Sequence, residues 1–148
     1  MSNQNDLALR SLSNQADVRG CFRLMQQLRP HLTSEAEFLD RWQRQAAGGY
    51  LLAGLFDGSA PVALTGYRVQ ENLVHGRFLY VDDLVTDVAL RGSGHGERLM
   101  AYLRDQARAL GCGKLVLDTP LSNSLGHRFY FRCGFLASAL RFNVPIEA

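Results

Sequence analysis

The first half of the chain contains two stretches with helical hydrophobic spacing. Apolar residues recur every three to four positions across residues 18–28 and again across residues 38–46. Pro30 ends the first stretch, and Thr33 or Ser34 can cap the second. Glu37 stands where the acidic member of a capping box is expected. The pattern therefore predicts two amphipathic helices early in the chain.

Strand patterns surround these helices. Short apolar or alternating runs, bounded by turn residues, are typical of strands in a small sheet. Asp57-Gly58 separates two of them by a tight turn and predicts a β-hairpin. The predicted strands are residues 7–12, 50–56, 61–69, 77–86, 115–118 and 135–144.

The second half adds two further helices. A stripe of leucine and alanine at helical spacing runs from Leu99 to Leu110, and Ser122 or Asn123 can cap a shorter helix that ends near Cys133. The predicted order is β-α-α-β-β-β-α-β-α-β. Mixed strands and helices in a chain of this size predict an α/β or α+β sheet protein.

Composition narrows the function classes. A chain of 148 residues, 47% of them hydrophobic, predicts a single domain over residues 1–148. The net charge is only +2, and no long run of like charge suggests a nucleic-acid partner. The three cysteines lack metal-ligand spacing, so we expect neither a metal site nor a disulfide framework. No apolar run approaches the ~18 residues of a membrane span, and no secretory signal is visible, which predicts a cytoplasmic protein.

Candidate chemistry begins at a glycine-rich turn between the strand 77–86 and the helix that follows. Gly92, Gly94 and Gly96 alternate there, directly after Arg91. A helix N-terminus presents unpaired N–H groups and a positive dipole end, and glycines allow a ligand to approach that backbone. Arg91 can add a charged contact. The turn predicts a phosphate-binding site.

The spacing excludes two common phosphate-binding motifs. Glu97 occupies the position where the dinucleotide fingerprint needs its third glycine, and no Gly-Lys-Ser/Thr triplet is present. Ser93 and His95 lie between the glycines, where we expect their backbone N–H groups to serve the phosphates and the His95 side chain to be solvated. Glycines alone remain a weak signal, because such turns often use them for conformation only.

Arg91, Gly94 and Gly96 resemble the signature of the GCN5-related N-acetyltransferases (GNAT), which is Arg or Gln, two free positions, Gly, one free position, then Gly or Ala. The resemblance implies the GNAT fold, a central mixed, mostly antiparallel sheet of six to seven strands flanked by four helices. It also implies acetyl-coenzyme A as co-substrate, with its pyrophosphate bound by residues 91–96, and no metal.

A second signature of that family follows later in the chain. The resemblance implies that Tyr130 protonates the departing thiolate and that Asn123 hydrogen-bonds the pantetheine arm. A phenol with a pKa near 10 starts protonated at neutral pH, which suits an acid. The alternative is that Tyr130 only packs the helix. The matching positions are Asn123, Gly126 in place of the usual alanine, Tyr130, Gly134 and Phe135.

The strand before the glycine turn supplies the remaining candidates. Leu84, Val85 and Thr86 resemble the family segment whose backbone amides bind the acetyl carbonyl and pantetheine. Asp82 and Asp83 are adjacent carboxylates, which we expect on opposite strand faces, with at least one facing the cleft. Either could attract a cationic amine and accept its proton, directly or through water. Equally, each could cap a loop or pair with an arginine.

Four other residues have weaker functional interpretations. His127 lies near Tyr130, but a surface or packing role is favoured over a role in binding the substrate. Cys133 is interpreted as buried filler. Trp42 and Phe38 are interpreted as core, although they could border the acceptor cleft.

These residues predict direct transfer of acetyl to a primary amine in a ternary complex, with a small cationic amine as the favoured acceptor. A protein lysine or N-terminus is an alternative acceptor. A catalytically silent acyl-coenzyme A sensor and a nucleotide-phosphate enzyme are the other classes considered. No nucleic-acid or membrane partner is expected, and the strand 135–144 could pair across a homodimer.

Overall fold

The computed structural model describes residues 6–147. Within this range the chain forms two compact units, one ending at Leu117 and one beginning at Asp118. The single-domain interpretation stays a prediction.

The N-terminal unit is built on one five-stranded sheet with its strands in chain order. The first four pair antiparallel, and the fifth pairs parallel to the fourth. This confirms a mixed, mostly antiparallel sheet, with five strands in the described range instead of the expected six to seven. The strands are β1 (Ala8–Leu12), β2 (Leu51–Asp57), β3 (Ala60–Asn72), β4 (Gly76–Thr86) and β5 (Leu115–Leu117).

Four α-helices accompany this sheet: α1 (Gln15–Arg19), α2 (Phe22–Leu28), α3 (Glu35–Ala47) and α4 (His95–Ala109). The sequence predicted one helix where α1 and α2 occur. The Cys21 amide donates to the Val18 carbonyl three residues back, at 2.9 Å. The backbone therefore forms a tighter turn at this point, and a new helix begins after Gly20. Glycine is a poor helix former, which explains the break at this position.

Both faces of the sheet are covered. Leu52 and Leu64 belong to the hydrophobic cluster formed with α1, α2 and α3, whereas Leu55 and Ala63 pack with Leu99 of α4. Consecutive residues of a strand point to opposite faces, so β2 and β3 contribute to both layers. This arrangement explains why these two strands read as nearly continuous apolar runs.

The C-terminal unit contains one helix, α5 (Ser124–Arg132), which makes five α-helices in the described range instead of the predicted four. The predicted strand over residues 135–144 is wrong, because residues 135–147 form neither helix nor strand. Apolar and polar residues do alternate along this segment, but its apolar side chains are exposed; Phe142, for example, is 88% exposed. A strand also needs a neighbouring strand to pair with, and no strand pairs with this segment in the described chain.

Candidate active site

The glycine turn has the backbone that the sequence predicted. A short 3-10 helix, Val88–Leu90, leads into it, and Gly92 and Gly94 adopt left-handed φ angles of 83° and 81°. Only glycine takes that conformation without strain. Gln27 of α2 holds the entry, because its Oε1 accepts from the Val88 amide at 2.9 Å. The turn thus delivers the N-terminus of α4 in a fixed position.

The predicted phosphate contacts lie on the accessible side of this turn. Arg91, Gly92 and Ser93 are exposed, and Gly94 and Gly96 are half-buried. The first amides of α4 have no partner within the helix, since the i−4 carbonyls that would accept from them precede it. An anion above this turn would therefore meet N–H groups, the positive helix end and a guanidinium.

His95 differs from its prediction. Its side chain is 7% exposed instead of solvated, and Nδ1 has no hydrogen-bond partner among the described residues. As the first residue of α4, it lies where the helix turns into the core, so the ring packs inward while the backbone remains at the turn. Only the backbone of His95 therefore stays a candidate for phosphate binding.

A β-bulge sets the geometry of the two carboxylates. In the β3–β4 ladder Gly66 is opposite Asp83 and Tyr67 is opposite Val81, so Asp82 has no residue of its own opposite it. A bulge of this kind places two consecutive side chains on roughly the same side of the strand. The prediction that Asp82 and Asp83 point to opposite faces is therefore wrong, and both belong to one polar network.

Asp83 is held by three residues from three other elements or loops. Tyr50 donates its hydroxyl to Oδ2 at 2.7 Å, and Arg29 donates through Nε to Oδ1 at 3.0 Å. The Thr65 hydroxyl donates to the Asp83 carbonyl at 2.9 Å. Burial, then the neighbouring Asp83 carboxylate, raises the pKa of Tyr50 well above its usual value, so this phenol stays a donor. The Asp83 carboxylate is thereby fixed in orientation.

The Asp82 carboxylate pairs with a different arginine from the Asp83 carboxylate. Arg68 donates through Nε to Oδ2 at 2.9 Å and through Nη2 to the Gln45 side chain at 3.0 Å. Arg29 reaches the Asp82 carbonyl at 2.8 Å. Burial raises the pKa of Asp82, and the hydrogen bond from Arg68 opposes that rise. Both carboxylates are thus paired with arginine, as one of the sequence alternatives anticipated.

Gly66 makes the Tyr50 contact possible. A methyl group on Gly66 would overlap the Tyr50 hydroxyl, because that hydroxyl crosses the strand at this position on its way to Asp83. Tyr50, Arg29 and Arg68 were not identified from sequence, since they are distant from Asp83 in the chain. The available signal was Gly66 itself, because a glycine inside a strand often marks a close approach.

A cavity of about 220 Å³ opens beside this network. Asp83 is the carboxylate of the pair that lines it, together with Tyr50 and Arg29. Phe38 and Trp42, 6% and 9% exposed, are both core residues and part of the cavity wall, so their two interpretations coincide. This cavity is the candidate acceptor site of the N-terminal unit.

The outer edge of β4 is partly open beyond Val81. β5 pairs with β4 only at Leu79–Val81, while β4 continues to Thr86. In the described chain no strand covers that edge at Leu84, Val85 and Thr86. Alternate backbone groups of an antiparallel strand point away from its partner, here β3. An extended amide-containing ligand could therefore bind there like a short extra strand.

In the C-terminal unit, Asn123 is the N-cap of α5. Its Oδ1 accepts from the Gly126 amide at 3.1 Å, and its Nδ2 donates to the Thr119 hydroxyl at 3.0 Å. A methyl group on Gly126 would overlap this amide side chain, which explains glycine in place of the family's alanine. The proposed pantetheine contact of Asn123 stays a prediction.

Tyr130 lies in an aromatic group. Its ring centroid is 5.3 Å from that of Phe129 and 5.8 Å from that of Phe135. Burial, with a smaller contribution from Cys133, raises the pKa of Tyr130 above its usual value. The phenol therefore stays protonated at neutral pH. His127 instead contacts the Pro120 carbonyl at 2.9 Å, in line with a structural role.

Residues 6–147 show neither a metal-binding cluster nor a membrane-spanning helix. No group of three or more His, Cys, Asp or Glu side chains in this range is arranged to hold a metal ion. Among the same residues, no helix has the length and apolar character needed to cross a membrane.

Comparison with protein families matches residues 16–135 to the Acetyltransferase (GNAT) family. The chain belongs to the GNAT family. It is an acyltransferase, an N-acetyltransferase whose homologues use coenzyme A or its acetyl form. The matched range contains the glycine turn, both carboxylates, the cavity-lining helices and Tyr130. All of these features therefore lie in the part of the chain that is similar to GNAT enzymes.

Three related proteins illustrate the similarity. An uncharacterized N-acetyltransferase of Bacillus subtilis, YhdJ, is 29% identical over 140 residues, covering 93% of this chain and 98% of that protein. Glucosamine 6-phosphate N-acetyltransferase 1 of Oryza sativa subsp. japonica is 36% identical over 131 residues, covering 82% and 76%. The structure of aminoglycoside N-acetyltransferase AAC(6')-Iy in complex with CoA has a TM-score of 0.82 at 15% identity, covering 96% and 95%, and shows the shared fold.

Proposed function

We propose that this GNAT enzyme transfers acetyl from acetyl-coenzyme A to the primary amine of a small molecule, by direct attack in a ternary complex. The observation that carries the proposal is the placement of Asp83, whose oriented carboxylate lines a cavity of about 220 Å³. A cavity of this size suits a small acceptor. The single-domain organisation of residues 1–148 is part of the same proposal.

The co-substrate is proposed to use two features of the N-terminal unit. Its pyrophosphate binds the N–H groups of residues 92–96, with Arg91 adding charge. Its pantetheine arm and acetyl carbonyl use the open β4 edge at Leu84, Val85 and Thr86. Amides held in a rigid strand are suitable donors to a developing oxyanion, because they need no reorganisation during the reaction.

The chemistry is proposed as one addition and one elimination. The ammonium group of the acceptor first gives one proton to Asp83 or Asp82, directly or through water, and the neutral amine nitrogen then attacks the thioester carbonyl carbon. The second proton of the nitrogen passes to water, from which Tyr130 is later reprotonated. Collapse of the tetrahedral intermediate breaks the carbon–sulfur bond. The thiolate takes a proton from Tyr130, an assignment supported by its motif, and burial keeps this phenol in its protonated form. Asn123 is proposed to bind the pantetheine arm on the same resemblance.

The acceptor is proposed to approach as a small cationic amine, since a primary amine is an ammonium ion at neutral pH. Asp83 can hold that ammonium group and remove its proton. The rice relative is by name an acetyltransferase of a small amine, glucosamine 6-phosphate, which supports a small acceptor here. Two alternatives compete with this proposal. The acceptor could be a protein lysine or N-terminus, or the protein could be a catalytically silent acyl-coenzyme A sensor.

The experiment is a thiol-release assay with acetyl-coenzyme A and a panel of small amines and lysine peptides. We expect turnover of at least one small amine, and Tyr130→Phe should lower kcat by ~10²–10⁴ if Tyr130 is the acid. Tyr102→Phe is the matched control, because its hydroxyl contacts that of Tyr67, at 2.8 Å, and has no proposed role in the reaction. Coenzyme A binding without turnover of any amine would contradict the proposal in favour of a sensor.

A homodimer is also proposed, from the exposed apolar tail. Leu136, Leu140, Phe142, Val144 and Ile146 are 67–88% exposed, and they alternate as one face of a strand would. A second copy of the chain can cover such a face. Light scattering should report a dimer, and Phe142→Asp should shift it to monomer; a monomeric parent protein would contradict this proposal.

A further inference from the structure

The cavity beside Asp83 carries more positive than negative charge. Arg29, His31 and Arg41 line it, against the single carboxylate of Asp83. Arg29 already binds that carboxylate, with Nη2 at 2.9 Å from Oδ1. A ligand that offered only an ammonium group would therefore meet one neutralised carboxylate and one further guanidinium. A ligand that also carried a negative group would gain a contact with that second guanidinium.

Arg41 is the guanidinium that can supply this contact. Its ionic partner is Glu37, one helical turn away on α3, at 3.3 Å. That distance is longer than a strong charge-assisted hydrogen bond, and the side chain is 47% exposed. Glu37 is held independently by Thr33, whose hydroxyl donates to Oε2 at 2.8 Å. Arg41 can therefore turn to a ligand without releasing Glu37.

The rest of the wall suits a short carbon skeleton. The rings of Phe38 and Trp42, and the side chains of Met25 and Leu32, supply apolar surface, and all four residues are at most 9% exposed. Tyr50 and Asp83 supply one set of polar groups, and Arg41 with His31 supplies a second set. A ligand with an amine and an oxyanion would match both.

We infer that the acceptor carries an oxyanion, a carboxylate or a phosphate, which Arg41 binds with support from His31 while the amine faces Asp83. The inference rests on the proposed function, because it treats the cavity as the acceptor site. Arginine binds carboxylate and phosphate through the same planar pair of N–H donors, so this chemistry is shared by the two groups. Arg29 acts as a positioning residue for Asp83.

The test compares amines that differ only in the oxyanion. Phosphoethanolamine is paired with ethanolamine, β-alanine with propylamine, and an amino sugar phosphate with the free amino sugar. In at least one pair, the anionic member should have the higher kcat/KM, by about tenfold or more, as expected for a charge-assisted hydrogen bond. The phosphate and carboxylate pairs show which group is preferred.

Arg41→Gln should remove this preference by raising KM for the anionic member about tenfold or more, with a much smaller effect on KM for the uncharged member. Arg44→Gln is the matched control, because Arg44 lies on the same helix, pairs with Asp40 at 2.5 Å and is not among the cavity-lining residues. Equal use of both members of every pair would overturn the inference. So would an equal effect of Arg41→Gln on both members.

Failure of the proposed function has a different signature, namely no turnover of any amine by a folded protein that binds coenzyme A. The inference is then tested by calorimetry with the same pairs in the presence of coenzyme A. Binding of an anionic amine that is weakened by Arg41→Gln and not by Arg44→Gln would support the oxyanion site. Absence of binding by every anionic amine would overturn it.

Discussion

The glycine turn and the bulged acidic segment lie at opposite ends of one short stretch, residues 82–96, and they are stabilised in different ways. The turn is defined by its own backbone: Gly92 and Gly94 take left-handed angles, and α4 begins directly afterwards. The acidic segment is defined by distant residues, since Arg29, Arg68 and Tyr50 orient its two carboxylates. Local sequence can specify the first, whereas only the tertiary fold specifies the second.

Mutations in the glycine turn and mutations in the acidic segment should therefore have different consequences. Changes in the turn should affect co-substrate binding, because the turn offers N–H groups and no titratable side chain of proposed catalytic role. Changes in the acidic network should affect the chemical step, because the network orients a proton acceptor. A set of substitutions can therefore separate the two regions.

The largest effect is expected from Asp83→Asn. An amide cannot accept the amine proton, so kcat should fall by ~10²–10⁴ while KM for acetyl-coenzyme A stays nearly constant. Steady-state kinetics with an identified amine measures both. Asp105→Asn, which removes an exposed carboxylate of α4 paired with Arg108, is the control. A full-rate Asp83→Asn enzyme would remove Asp83 from the mechanism.

Gly94→Ala tests the glycine turn. Its left-handed φ of 81° costs ~1–2 kcal/mol for alanine, and a displaced N–H group should weaken acetyl-coenzyme A binding by roughly 10–100-fold. Calorimetry and thermal unfolding report the two quantities. Gly76→Ala, with φ of 67° and open space around it, should lose stability but keep coenzyme A affinity. Unchanged affinity in Gly94→Ala would exclude the turn from the cofactor site.

Gly66→Ala should disturb the acidic network without changing a polar group. The new methyl group overlaps the Tyr50 hydroxyl, so the variant should lose ~1–3 kcal/mol of stability and turn over more slowly. Denaturant unfolding and kcat are the measurements. Gly113→Ala meets no atom within 4 Å and serves as control. A Gly66→Ala protein with parental stability and kcat would show that the Tyr50 contact is dispensable.

The smallest effect concerns the pH dependence of stability. Burial raises the pKa of Asp82 in the folded state, so between its unfolded pKa, about 3.9, and the raised value the folded chain binds more protons. The free energy of unfolding therefore contains a contribution that decreases as pH rises through this window. In denaturant unfolding from pH 3.5 upward, the free energy of unfolding of Asp82→Asn should decrease less steeply with pH than that of the parent protein. An unchanged slope would contradict the raised pKa.

Local patterns predicted most of the fold and the turn. The first three strands of the meander, the cap at Ser34 and the cap at Asn123 depend on residues close together in sequence, and each is present. The helix break after Gly20 was missed because the apolar spacing continues across it. The strand at 135–144 was wrong because alternation describes a face and does not supply a pairing partner.

The candidate site was predictable only in part. Arg91, Gly94, Gly96 and Tyr130 were identified by motifs, which record local geometry. The bulge at Asp82 could not be seen, since it depends on the register between β3 and β4. The arginines were not assigned because this chain has 16 basic residues, and charge alone does not indicate which one reaches Asp83.

The central claim is that the glycine turn binds acetyl-coenzyme A while Asp83 orients and deprotonates the amine. A crystal structure with coenzyme A and a turned-over amine tests it most directly. The account predicts the pyrophosphate on the N–H groups of residues 92–96 and the amine nitrogen within about 3.2 Å of Asp83, or one water away from it. A coenzyme A molecule bound away from the turn, or an amine outside the cavity lined by Asp83, would contradict it.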